Sequence, residues 1–203
     1  MSIQKKRFFV AITMFSALVF LTTRISTVSA SPPCDGENGT VKITSDDDDT
    51  FVRESFPSQN YDSETYMIVG RSFGRMVSLM HFAEVGMPVG ACVETAELHV
   101  FVDSTEGNVP QKVVACRIDS PWDGNTVNWT SRPAMTQVCS ESILMEPGQN
   151  TFEVISIVQD WANGASNDGI ALRPLGAPSY RYFINTSEKG SYVPELYISY
   201  QNP

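Results

Sequence analysis

Between Ala96 and Val102 the chain alternates: Ala96, Leu98, Val100 and Val102 are apolar, and Glu97, His99 and Phe101 stand between them. A period of two is the spacing at which successive side chains leave opposite faces of an extended strand. This segment therefore reads as a strand with one face on a core. Shorter β-like runs recur along the chain: Val41–Thr44, Thr50–Glu54, Tyr66–Val69, Val77–Ala83, Lys112–Ile118, Thr136–Ile143, Thr151–Ile155, Gly169–Arg173, Arg181–Asn185 and Glu195–Tyr200. Turn formers punctuate them, among them Pro110, Asp123-Gly124, Pro147-Gly148 and Asn167-Asp168-Gly169. Many short strands separated by such turns predict an all-β antiparallel β-sandwich of jelly-roll type.

One segment departs from that period. Ser156–Gly164 places Ile157, Val158 and Trp161 on one helical face, with Ser156 as the expected cap and Gly164 as the expected left-handed terminator. It predicts one short helix, Ser156 to Asn163, across an end of the sandwich.

The N-terminus reads as an export signal. Lys5, Lys6 and Arg7 precede an apolar run from Phe8 to Leu21, and Val28-Ser29-Ala30 supplies small residues for cleavage. The run falls short of the about 20 residues that a membrane helix takes. The alternative is an uncleaved signal anchor. Residues 1–30 are thus assigned to a signal peptide and 31–203 to a single sandwich domain, long enough for a core of its own. Setting aside Lys5, Lys6, Arg7 and Arg24 leaves ten basic residues against 23 acidic ones, a net charge of −13. Such a surface repels nucleic acid and anionic membranes at long range, so neither is an expected partner.

Cys34, Cys92, Cys116 and Cys139 all lie beyond the signal, at wide spacings without a C-x-x-C. An even count in an exported chain predicts two disulfides rather than a zinc site. Three pairings are possible. Cys116 and Cys139 sit in consecutive strand-like runs, which favours Cys116–Cys139 and leaves Cys34–Cys92 to tie down the N-terminus. Three N-x-S/T sequons, at Asn38, Asn128 and Asn185, are candidate glycosylation sites.

The wording of the segments resembles carbohydrate-binding module family 96, also called the DNRLRE domain. The likeness begins at Asp49-Thr-Phe-Val52, Pro57–Tyr61 and Met67–Gly70, and continues through Ser78–Phe82 and Ala96–Val100. Its most specific stretch is Arg117-Ile-Asp-Ser-Pro-Trp122, followed by Thr126–Trp129 and Arg132-Pro133. Glu153–Gly164, Gly169–Arg173 and Pro194–Tyr200 complete the series, which covers about Val41 to Tyr200. The resemblance implies a β-sandwich that binds polysaccharide, alginate-like polymers among them, and has no activity of its own. His81 stands where the family usually shows arginine, and the four cysteines are additions.

Sugar recognition needs aromatic faces for C–H surfaces and polar groups for hydroxyls. Trp122, Trp129 and Trp161 are expected to pack inside, since tryptophan is highly buried on average. Phe101 and Tyr197 are expected to point outward. Arginine forks onto carboxylates and diols, so Arg53, Arg117, Arg173 and Arg181, with Tyr180 and Tyr182 flanking the last, form the expected ligand-binding set on outward positions. The run Asp46–Asp49 reads either as a solvated acidic turn or as a calcium site, with Asp47, Asp49, Asn60 and Asp62 as the oxygen ligands.

Catalysis has little to build on. His81 and His99 are the only histidines, and the chain has neither H-E-x-x-H nor G-x-S-x-G. The expected function is a secreted, non-catalytic module for a cell-wall or matrix polysaccharide. The alternatives are a structural matrix or wall protein without specific sugar binding, and a polysaccharide-degrading enzyme.

Overall fold

The computed structural model describes residues 34–46, 48–83 and 85–203. Both the expected signal peptide and Asp47 lie outside the described residues. Twelve strands follow one another: β1 Asn38–Thr44, β2 Thr50–Arg53, β3 Tyr66–Arg71, β4 Arg75–Met80, β5 Cys92–Gly107, β6 Gln111–Ile118, β7 Met135–Cys139, β8 Ile143–Met145, β9 Gly148–Glu153, β10 Ile170–Pro174, β11 Tyr180–Asn185 and β12 Glu195–Gln201. Among the described residues one α-helix, α1, spans Ile155–Ala162, and one 3-10 turn covers Ser187–Lys189.

All the pairings are antiparallel. Neighbours run β1-β12-β5-β11-β3-β4-β10-β6-β7, with β2 on β4, β8 on β6 and β9 on β5. The sheet is not closed, and the result is the expected all-β sandwich with one short helix. Its long strand β5 joins the two halves: its first part pairs with β12 and β9, and its last part with β11. The predicted run Thr136–Ile143 is two elements, β7 and β8, separated where Ser140 leaves the sheet.

The alternation in β5 is borne out. Ala96, Leu98, Val100 and Val102 are buried in the main core, and Glu97 is exposed. That core also takes Ile157, Val158 and Trp161 from α1, the face expected of the helix. Gly164 ends the helix at positive φ, with its N–H on the Trp161 carbonyl. Ser156 does not cap it. Val154 occupies the cap position without a side-chain hydrogen bond, because the helix begins one residue early, straight from β9.

A second, smaller core decides where the candidate site lies. In β4, Met76 and Met80 face the main core, whereas Val77 and Leu79 face Val52, Ile118, Val127 and Ala171 on the other side. The loop between β6 and β7 lies over this outer face and packs Trp122 and Trp129 against it. Covered on both faces, β4 reads as an almost continuous apolar run rather than an alternating one.

Both disulfides form as expected. Cys116 and Cys139 are direct register partners across β6 and β7, with Cα atoms 4.0 Å apart. Cys34–Cys92 ties the start of the described chain to the first residue of β5, at a Cα separation of 6.0 Å.

Candidate functional site

The β3–β4 hairpin turns through three residues, Ser72, Phe73 and Gly74, and closes with Arg71 opposite Arg75. Direct partners in an antiparallel pair put their side chains on the same face, where two like charges destabilise each other. Glu54 partly relieves this. Its carboxylate holds the Arg75 guanidinium at 3.2 Å and accepts the Arg75 backbone N–H at 2.8 Å. Arg75 in turn holds the Glu54 carboxyl below its ordinary range. Arg71 has no acidic partner among the described residues, and its Nε is buried without an acceptor.

Arg173 continues the same surface from β10, two residues beyond Ala171 of the small core and therefore on the same face. Its guanidinium donates to the Cys116 sulfur at 3.7 Å and has no carboxylate partner among the described residues. From the covering loop come Trp129 and Arg132. The guanidinium carbons of Arg132 and Arg75 lie over the Trp129 ring at 4.2 and 5.1 Å from its centroid. Arg71, Arg75, Trp129, Arg132, Arg173 and Leu175 thus line one groove of about 690 Å³, and no Asp or Glu is among its described lining residues. That volume lies within the usual range for ligand sites. Four of the seven arginines beyond residue 30 converge there, in a chain with a large acidic excess.

Of the expected set only Arg173 joins this groove. Arg53 lies elsewhere, against Ser55 and over the Phe56 ring. Arg117 is held between Asp119 at 3.0 Å and Asp160 at 3.5 Å. Arg181 points outward as expected but is paired with Glu106. Tyr180 and Tyr182 do not point outward: they are 1% and 0% exposed. Their hydroxyls donate to the carbonyls of Leu175 and Met145, and burial pushes the Tyr180 hydroxyl up to about 12. Three successive strand residues cannot all face outward: β11 turns Tyr180 and Tyr182 to the core and leaves Arg181 alone on the outer face.

The aromatics also divide. Trp161 is buried as expected, whereas Trp129 is only half-buried and offers part of its ring to the groove. Phe101 and Tyr197 are half-buried; Phe101 stacks on Tyr192 at 4.5 Å and Tyr197 packs on His99 at 4.6 Å.

The acidic ligands expected for calcium take separate roles. Asp49 is buried, and its Oδ2 accepts from the Ser45 hydroxyl and the Ser187 N–H. Burial raises its carboxyl well above the ordinary range. Asn60 is committed to its own surroundings, donating to the carbonyls of Gly124 and Val127 and accepting the Asp62 N–H. Asp62 stands beside Asp48 at Gly124, where a side chain would collide with both carboxylates. Its Oδ1 is buried without a donor, and burial followed by the Asp48 charge raises its pKa. Asp46 and Asp48 gather with His81, whose Nδ1 lies 2.5 Å from Asp46. His81, which departs from the resemblance, is therefore the partner of an aspartate that the sequence reading left out of the ligand set.

Asn38 is exposed and Asn128 half-buried, but Asn185 is buried with its amide on the Ser191 carbonyl. A glycan has no room at Asn185 in the folded chain.

The chain matches the model of carbohydrate-binding module family 96 over residues 40–200, and it belongs to that family. A comparison with the curated proteins returned no match. No helix among the described residues is long and apolar enough to cross a membrane.

Proposed function

We propose that the protein is an exported, non-catalytic module that binds an acidic polysaccharide, a polyuronate of the alginate kind, in the arginine groove. The observation that carries this reading is the groove's charge. Arg71, Arg132 and Arg173 have no carboxylate partner among the described residues, and they share one lining with Trp129. Guanidinium groups pair with carboxylates through parallel N–H donors. A uronate ring also offers a C–H face to the indole. Export is supported by the two disulfides, since such bonds persist in oxidising compartments. Binding without turnover is supported by the family, which is one of carbohydrate-binding modules.

Calcium is a second and smaller part of the proposal. Its basis is the unpartnered Oδ1 of Asp62 beside Asp48. A divalent ion would offset the repulsion of that pair, and oxygen donors are what calcium takes.

The test is titration of the oxidised protein with a polyuronate and with a neutral glucan of similar length. Saturable, salt-sensitive binding of the polyuronate, with no shortening of the chain, supports the reading. Equal binding of both polymers, or of neither, would refute it.

A further inference from the structure

Phe73, at the tip of the β3–β4 hairpin, combines two unfavourable features. It is 92% exposed, the largest exposure among the described large apolar side chains. It also has φ 51°, in the left-handed region that a bulky residue rarely enters. Glycine takes that conformation at no steric cost, and Gly74 follows directly. An exposed aromatic held in a strained turn is an observation that points to function.

Tyr192 shows what a structural explanation looks like. It too has positive φ, 54°, and is 68% exposed, but its ring stacks on Phe101. Phe73 stacks on no ring among the described residues. What it does have is a place. It lines a cavity of about 230 Å³ with Arg71, Arg75, Pro178 and Glu54, whose carboxylate is held by Arg75, and the two arginines also line the groove that holds Trp129. The arginine pair is therefore shared between a tryptophan-bearing groove and a phenylalanine-bearing one.

We infer that Phe73 is a stacking platform that extends the arginine groove, so that the site takes a polyuronate over more than one sugar unit. One unit places its carboxylate on the arginines, and a neighbouring unit lays its C–H face on the Phe73 ring. This inference rests on the acidic-polysaccharide reading. It adds that affinity grows with chain length through this one side chain.

The experiment compares a mannuronate tetramer with free mannuronate by calorimetric titration, using the wild type, Phe73→Gly and Phe73→Tyr. Phe73→Gly should weaken the tetramer about tenfold, equivalent to 1.4 kcal/mol, and leave the monomer unchanged. Its melting temperature should rise, because glycine relieves the turn. Phe73→Tyr should restore tetramer affinity. Unchanged tetramer affinity in Phe73→Gly overturns the inference while leaving the groove reading intact. Equal loss for monomer and tetramer also overturns it, since the arginines would then have been disturbed. If the wild type binds neither uronate, both readings fall together.

Discussion

Arg71 and Arg75 face each other across the closing pair of the β3–β4 hairpin, and among the described residues only Arg75 has a carboxylate partner. Two cations held together with one counter-charge repel each other across the hairpin. Arg71→Gln should therefore stabilise the free protein by up to about 1 kcal/mol, the usual scale for a cross-strand charge pair. In a domain of this size that is about 2–4 °C in melting temperature. The same change should weaken polyuronate binding. A melting temperature that falls instead would mean that Arg71 supports the fold.

Asp49 should make the protein less stable as pH rises through the acid range. Burial raises its carboxyl above the ordinary value, so the folded state holds that proton more tightly than the unfolded state does. The contribution to stability is fully present below the unfolded pKa of about 3.9 and is lost as pH rises through the higher folded value. Asp49→Asn keeps one carbonyl oxygen for Ser45 and Ser187 and removes the buried charge. Melting curves from pH 4 to 8 should show a flatter profile for the variant and higher stability at neutral pH. A destabilised variant at pH 7 would mean that the charge itself has a partner, such as a cation.

The acidic pair gives a separate expectation. Millimolar calcium should raise the melting temperature of the wild type, and chelator should lower it. Asp62→Asn should remove the response, because it takes away the carboxylate whose Oδ1 lacks a donor. A wild-type melting temperature that calcium and chelator leave unchanged would retire the calcium proposal.

Removing either disulfide should be costly. In the chain-entropy picture, loops closed over 23 and 58 residues stabilise by about 3 and 4 kcal/mol for Cys116–Cys139 and Cys34–Cys92 respectively. Paired Cys→Ala variants should lose stability in that order by urea denaturation. Peptide mapping without reductant checks the pairing, and free thiols at these positions would contradict it.

Much of the fold was legible because β-strand periodicity is a local signal. Ala96–Val102 announced both its extended form and its buried face, and Cys116 and Cys139 lay in consecutive runs that do pair. Phase was harder to read than period. Tyr180, Arg181 and Tyr182 are successive strand residues and cannot share the outward face on which all three were expected; with Arg181 outward, both tyrosines enter the core. Strand β4 hid its role for another reason: covered on both sides, it shows no alternation at all. The site was the least legible part, because Arg71, Arg75, Arg132 and Arg173 come from three segments that only the sheet order and the covering loop bring together. The one local hint was the pair of arginines flanking Ser72-Phe73-Gly74.

The measurement that bears most directly on the central claim is affinity electrophoresis in a polyuronate gel, run at low salt and again at about 0.5 M, where the Debye length is only about 4 Å. Two double variants are compared with the wild type: Arg132→Ala with Arg173→Ala in the groove, and Arg53→Ala with Arg181→Ala outside it. Both lose two positive charges, so general electrostatics affects them alike. The groove variant should lose nearly all retardation, the outer variant should keep most of it, and high salt should abolish it in every case. Equal loss in the two variants, or full retardation in the groove variant, would contradict the assignment of the arginine groove as the polysaccharide site.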